Sequence, residues 1–166
     1  KILKKFYHSK KILHFQMWVF IILKKNTILK KLNFEIKKGS CIGIVGPSGS
    51  GKSTLTDLIM GLLTPTSGKV KIDNLPLFEN IDNWQNKISY VSQSPFFLND
   101  TIEKNIAFGV LKNKINKKLL IEVSKKAQIY DHIKSLTFKF ETEIAETGIN
   151  FSGGQLQRIA IARALY

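Results

Sequence analysis

The sequence has 166 residues, enough for one domain with a hydrophobic core. Its formal net charge is +14, but Lys1 to Lys38 holds eleven lysines against one acid, Glu35, and the remainder is nearly balanced. This uneven distribution argues against nucleic-acid binding as the main function and equally fits a segment near anionic lipid headgroups. A single cysteine, Cys41, excludes an internal disulfide, and no apolar stretch reaches the ~20 residues of a membrane-spanning helix.

The N-terminal part predicts strands. Residues 1–14 are basic and aperiodic, so we assign them no structure. Phe15 to Leu23 is apolar apart from Gln16, and Thr27 to Ile36 mostly alternates apolar and polar residues, which predicts one strand in each. Cys41 to Val45 predicts a short buried strand, with a core-packing role for Cys41.

The next stretch is the one around which the chain is organised. Gly46 to Thr54 matches the pattern G-x-x-x-x-G-K-[ST], and the apolar spacing of Ser53 to Leu63 predicts a helix directly after it. Glycines let backbone N–H groups surround an anion, and the helix N-terminus adds partial positive charge. The predicted phosphate-binding residues are Gly46, Pro47, Ser48, Gly49, Ser50, Gly51, Lys52, Ser53 and Thr54. Lys52 would reach the outer phosphates and Ser53 would ligate Mg²⁺.

Strands and helices alternate along the rest of the chain. Short strands are predicted over Lys69–Asp73 and Lys87–Ser92, the second ending at Gln93. Helical periodicity extends from Thr101 to about Leu136, an irregular polar loop covers Phe138–Asn150, and a last helix runs from Gln155 to the end.

Some of the side chains between these elements leave their role open. In the loop Ser94 to Asp100, Phe96 and Phe97 are as well explained by core packing as by surface exposure. Arg158 and Arg163, the only arginines, are expected to serve helix packing and surface roles.

A second phosphate-binding pattern opens the last helix. Phe151-Ser-Gly-Gly-Gln155 places a hydroxyl and glycine N–H groups at a helix N-terminus, although serine is also a common N-cap. It is followed by Leu156-Gln-Arg-Ile-Ala-Ile-Ala-Arg-Ala-Leu165, and here the sequence resembles the nucleotide-binding domain of ABC transporters. Gly46–Thr54 resembles Walker A, Gln93 the Q-loop and Ser152–Gln155 the signature. Asn99–Gly109 and Glu143–Asn150 are similar to the exporter branch, which includes lipid and oligosaccharide flippases.

The resemblance, over roughly residues 28–166, implies an α/β fold. It comprises a P-loop NTPase core with an antiparallel β subdomain and an α-helical signature subdomain, incomplete at the C-terminus. The implied partial ATP-binding domain covers 24–166, with the β subdomain and P-loop core at 24–93, the helical subdomain at 94–154 and the return to the core at 155–166. Residues 1–23 form a separate basic and apolar segment.

The resemblance also implies ATP and Mg²⁺ as cofactors. Ser53 and Gln93 would hold Mg²⁺, and the signature residues Ser152, Gly153, Gly154 and Gln155 would face ATP bound by a partner protomer. Two nucleotide-binding domains would therefore form a head-to-tail dimer. Ser94–Asp100 and Glu143–Asn150 would lie near a transmembrane domain, so the chain is expected at the cytoplasmic face of the membrane, with no nucleic-acid partner.

The sequence departs from the family pattern in three places. It ends at Tyr166, where the family continues into Walker B, the catalytic Glu and the switch His, so we expect little hydrolysis. The signature begins with Phe151 where the family usually has Leu. The adenine-stacking aromatic has no clear match, which leaves Trp18 and Phe20 as candidates.

The third departure also suggests a shift of reading frame in the coding DNA. One choice of codons for Gln16–Leu23, translated from two bases later, gives Asn-Val-Gly-Phe-Tyr-Tyr-Ser, which is similar to the family pattern N-V-x-F-x-Y. We therefore hypothesise that residues 1–23 are out of frame.

Three functions follow from these observations. The first is ATP binding, with hydrolysis in the complete family domain, as the motor of an exporter. The second is a non-catalytic or unfolded remnant of such a domain. The third is a soluble ABC-type ATPase acting on nucleic acid, against which the exporter-like Asn99–Gly109 argues and for which salt-sensitive DNA or RNA binding would argue.

Overall fold

The computed structural model of the chain describes residues 15–23, 26–144 and 151–166, and among the side chains of the first 31 residues only that of Leu29. Two compact units make up the chain, one ending at Ile88 and the other beginning at Ser89.

The first unit contains a four-stranded antiparallel sheet. Its strands are β1 (Phe15–Leu23), β2 (Asn26–Ile36), β3 (Ser67–Ile72) and β4 (Leu75–Pro76), in the order β2-β1-β3-β4. The three long strands lie close to the segments that the apolar patterns predict. β3 and β4 are joined by Asp73 and Asn74, both at positive φ (50° and 68°), which suits a two-residue hairpin turn and the tolerance of Asp and Asn for this conformation.

The described part of this unit also contains two helices. They are α1 (Lys52–Ile59) and α2 (Ile81–Gln85), with a 3-10 turn at Leu77–Glu79 before α2. Their apolar side chains pack with those of the sheet in one core, whose buried members are Leu29, Leu58, Val70, Leu77 and Trp84. The indole N–H of Trp84 donates a 2.7 Å hydrogen bond to the carbonyl of Ile59, the last residue of α1. Trp84 therefore fixes the C-terminal end of the helix that begins at Lys52.

Two predicted strands do not form. Cys41 to Val45 has no regular secondary structure, Cys41 is exposed and the Val45 side chain is 81% exposed, so the predicted burial of this segment is wrong. Lys87 to Ser92 is likewise irregular and spans the boundary between the two units. A strand is stable only when neighbours satisfy its backbone groups, and neither segment pairs with β1–β4 in the described residues.

The second unit is mainly helical. Its helices are α3 (Ile102–Ile106), α4 (Lys117–Lys126), α5 (Tyr130–Ser135) and α6 (Gly153–Leu165), and the short strands β5 (Asp100–Thr101) and β6 (Glu143–Ile144) pair antiparallel. A shared apolar core includes Ile102, Leu120, Ile133, Ile144 and Ile159. None of the helices in the described ranges is long and apolar enough to cross a membrane.

The single helical stretch predicted over 101–136 is divided into three helices. α3 ends before Gly109, which has φ 80°, and α4 begins only at its N-cap Asn116, whose side chain accepts from the Leu119 amide. Gln128 at φ 57° separates α4 from α5. In the predicted irregular loop 138–150, Lys139–Glu141 forms a 3-10 turn before β6, and residues 145–150 lie outside the described part.

Candidate functional site

The loop Gly46 to Ser50 is exposed, and the chain turns tightly through the half-buried Gly51 into α1. Gly49 and Gly51 have φ of 77° and 85°, a region that side chains with a Cβ rarely adopt. The Ser50 amide donates to the Pro47 carbonyl at 3.3 Å, and a Cβ added to Gly46 would lie 2.6 Å from the Ser50 hydroxyl. Backbone conformation therefore favours glycine at Gly49 and Gly51, and a larger residue at Gly46 would require the Ser50 side chain to move.

The ammonium group of Lys52 folds back across this loop. Its Nζ donates to the carbonyl oxygens of Gly46 at 2.9 Å and Pro47 at 2.6 Å. An ammonium has three N–H donors, so one is left for another acceptor. The lysine charge is thereby held over the loop rather than free in solvent, which is the position from which it could contact an anion bound by the loop.

The first turn of α1 keeps its amide donors free of side-chain caps. The N-cap Gly51 has no side chain to accept from the helix, and the first turn contains no acid. The first helical backbone bond is from the Leu55 amide to the Gly51 carbonyl at 2.9 Å. Uncapped amide donors and the positive end of the helix dipole together attract an anion. The glycine turn, Lys52 and this helix end thus fit a phosphate group.

The two predicted Mg²⁺ ligands belong to different units. Ser53 is an exposed residue in the first turn of α1, and Gln93 is exposed in the irregular segment that follows Val91 in the second unit. A hydroxyl and an amide oxygen are oxygen donors of the kind that Mg²⁺ accepts, and its usual sites complete the shell with water and phosphate oxygens. The residue types fit the ion, and their joint action at one ion stays a prediction.

The predicted signature residues form the N-terminus of α6. The Ser152 hydroxyl accepts from the Gln155 amide at 3.3 Å, and the Gln155 side chain accepts from the Ser152 amide at 2.8 Å, which is a complete capping box. Gly153 and Gly154 are exposed, and a Cβ at either would meet no atom within 4 Å. Because the Ser152 oxygen acts as acceptor, its O–H remains available to donate to an anion.

Substitutions of Ser152 test its role as the N-cap of α6. Ser152→Ala should destabilise the second unit by about 1 kcal/mol because the Gln155 amide loses its acceptor. Ser152→Asn should cost less than about 0.5 kcal/mol, since its side-chain oxygen can still cap the helix. Denaturant unfolding followed by circular dichroism measures both. Equal stability of the alanine variant and the unmodified chain would contradict the cap.

One cluster of polar side chains was not predicted. The Arg163 guanidinium donates from Nε to the Asn105 carbonyl at 2.6 Å, from Nη1 to the Phe96 carbonyl at 2.7 Å and from Nη2 to the Asn105 Oδ1 at 3.0 Å. It also lies over the rings of Phe97 and Phe108, with Cζ 4.9 and 5.4 Å from their centroids. Burial lowers the pKa of this guanidinium. Arg163 is thus a half-buried residue whose guanidinium makes specific contacts within the second unit.

The aromatic residues near the motifs divide into core and surface. Phe97 is buried in the second core, whereas Phe96 is 66% exposed, so the two adjacent phenylalanines have different roles. Phe151 is buried and packs edge-to-face on His132, with ring centroids 6.0 Å apart, which accommodates the larger side chain at the first signature position. The side chains of Trp18 and Phe20 lie outside the described residues.

Comparison with known proteins agrees with this geometry. Residues 29–166 match the family model described as "ABC transporter". The chain is 40% identical over 138 residues to the "Multidrug resistance-like ATP-binding protein MdlA" of Escherichia coli (strain K12), covering 82% of this chain and 23% of that protein. It is 41% identical over 143 residues to the "ATP-dependent lipid A-core flippase" of Coxiella burnetii, covering 86% of this chain and 24% of that one.

A solved structure has the same fold. The chain superimposes with a TM-score of 0.85 and 33% identity on a bacterial Atm1-family ABC exporter with ATP bound, over 95% of this chain and 28% of the exporter. The fold is that of an ABC ATP-binding domain with mixed helices and antiparallel sheets, of which this chain spans a part. It also spans about a quarter of the length of the two curated relatives. On sequence and fold together, the chain belongs to the ABC transporter family.

Proposed function

We propose that this chain is an ATP-binding portion of an exporter and that it binds Mg-ATP on the loop Gly46 to Thr54. The observation that carries the proposal is the position of Lys52, which is held over the loop by two carbonyls directly before an uncapped helix N-terminus. In this arrangement the loop amides surround the phosphates, Lys52 neutralises the outer ones, and Ser53 and Gln93 contribute oxygen ligands to Mg²⁺.

The second part of the proposal concerns the N-terminus of α6. Ser152 can donate its hydroxyl proton, and the exposed Gly153 and Gly154 can present their amides, to the γ-phosphate of ATP held by a second nucleotide-binding domain. Gln155 holds Ser152 in place through the capping box. The complete assembly is then a head-to-tail dimer with two ATP molecules between the domains.

The third part concerns the membrane. The family match and the exporter relatives support a transmembrane partner or domain that this chain would drive, with the chain on the cytoplasmic side. The exposed Phe96 and the segment around it are the proposed contact region. The transported substrate is selected by the transmembrane part, so we propose none.

Mg-ATP binding by the purified chain tests the proposal. We expect saturable binding, measured by isothermal titration calorimetry, that weakens at least about a hundredfold in Lys52→Ala because the outer phosphates lose a charge-assisted partner. We expect no turnover, since the 166 residues contain no Walker B motif.

Lys69→Ala is the matched control. Lys69 is an exposed lysine on β3 of the same unit, so its removal changes the net charge equally and should leave ATP affinity within about twofold. An equal loss of ATP affinity in both variants would show that non-specific charge attraction explains the effect, and would contradict the loop as the binding site. Absence of binding by a folded, unmodified chain would overturn the proposal itself.

A further inference from the structure

Asn105 is the centre of a buried network in the second unit. Its side chain is fully buried, and its Nδ2 donates to the carbonyls of Leu98, Asp100 and Thr101 at 3.0 to 3.1 Å. Its Oδ1 accepts from the Leu98 amide at 2.9 Å as well as from Arg163. One amide group therefore fixes four backbone groups of the segment Leu98 to Thr101.

Arg163 attaches this segment to α6. Its three hydrogen bonds reach Phe96 and both the backbone and side chain of Asn105, which are 67 and 58 residues away in the sequence. The guanidinium also contacts the buried Phe97 and the partly exposed Phe108. A planar fork with fixed donors is needed for this set of contacts, and a lysine ammonium cannot reproduce it.

The sequence positions of these contacts suggest a purpose beyond packing. The Phe96 carbonyl, which accepts a hydrogen bond from Arg163, lies three residues after Gln93 in the sequence. Helix α6, which carries Arg163, begins at the Ser152 capping box. Arg163 lies in the last turn of that helix. Arg163 therefore joins the segment that follows Gln93 to the C-terminal end of the helix that begins at the signature.

We propose that Arg163 and Asn105 are positioning residues that hold the segment Phe96–Thr101, which follows Gln93, as one body with helix α6. This inference rests on the proposed function, because a link between these two regions matters for ATP binding only if Gln93 and Ser152 have the roles proposed above. A displacement of the segment then displaces the helix that carries Ser152, instead of being absorbed by a flexible loop.

Amide hydrogen exchange measured by NMR tests the proposal. In Arg163→Lys, exchange of the Leu98 amide should accelerate about tenfold or more, because its acceptor Asn105 loses the partner that orients it. The Ile129 amide, which donates to Ser124 within the same unit, should change less than about twofold. Arg158→Lys is the matched control, since Arg158 lies on α6 and makes one exposed bond, to the Gln128 carbonyl.

Three results would overturn the proposal. The first is an unchanged exchange rate of the Leu98 amide in Arg163→Lys. The second is an equal acceleration of the Leu98 and Ile129 amides, which would indicate a general loss of stability. The third is the same acceleration of the Leu98 amide in Arg158→Lys.

A second measurement uses the unmodified chain and therefore tests the proposal even if Arg163→Lys does not fold. The chain has two arginines, so two Nε–H signals are expected, and the Arg163 signal should exchange with water about tenfold more slowly than that of Arg158. Equal rates would overturn the proposal. Both experiments are made without nucleotide, so failure of ATP binding overturns the proposed function alone.

Discussion

Replacing Asn105 by alanine should destabilise the second unit by roughly 3 to 4 kcal/mol. The side chain is fully buried, and its loss leaves a backbone amide, three carbonyls and one guanidinium donor without their partner. Each buried group left without a partner costs about 1 to 3 kcal/mol, and solvent entering at the partly exposed segment offsets some of this. Denaturant unfolding followed by circular dichroism measures the change.

Asn99→Ala is the control for this prediction. Asn99 is exposed in the same segment, so its substitution should change stability by less than about 0.5 kcal/mol. A loss below about 1 kcal/mol for Asn105→Ala would show that the segment reorganises easily, and the network would then not determine its position.

Short sequence patterns predict the elements that depend on residues close together in the sequence. β1 has the same limits, Phe15 and Leu23, in sequence and structure, because a mostly apolar run between His14 and Lys24 marks a strand by itself. The N-terminus of α6 is predictable for a similar reason, since Ser152 and Gln155 are the two halves of a capping box. The loop around Lys52 also follows from spacing alone.

Features that depend on distant partners could not be predicted. Cys41 to Val45 has the composition of a buried strand but has no neighbour to pair with in the described residues, so composition alone was misleading. The contact between Arg163 and Asn105 joins residues 58 positions apart, and no short pattern encodes it. Phe96 and Phe97 are chemically identical neighbours, and only the packed core distinguishes the exposed ring from the buried one.

Trp84→Ala should destabilise the first unit by roughly 3 to 5 kcal/mol. The change removes a large buried side chain from a small core and leaves the Ile59 carbonyl without its indole donor. Trp84→Phe keeps most of the packing and loses the hydrogen bond, so about 1 to 2 kcal/mol is expected. Hydrogen exchange of the Leu58 amide in α1 measures the stability of the first unit, and exchange of the Ile133 amide in α5 is the control in the second unit.

The same substitution links stability to nucleotide binding. Trp84 fixes the end of the helix that begins at Lys52, so unfolding of this unit removes the proposed phosphate site. A ligand that binds only the folded state stabilises it by about 2.7 kcal/mol at a concentration of 100 Kd. Mg-ATP at this concentration should therefore restore much of the Leu58 protection lost in Trp84→Phe, and should contribute at most about 0.4 kcal/mol when Lys52→Ala is added, because the weakened site is then no more than half filled. Equal recovery with and without Lys52 would show that ATP stabilises the unit from a different site.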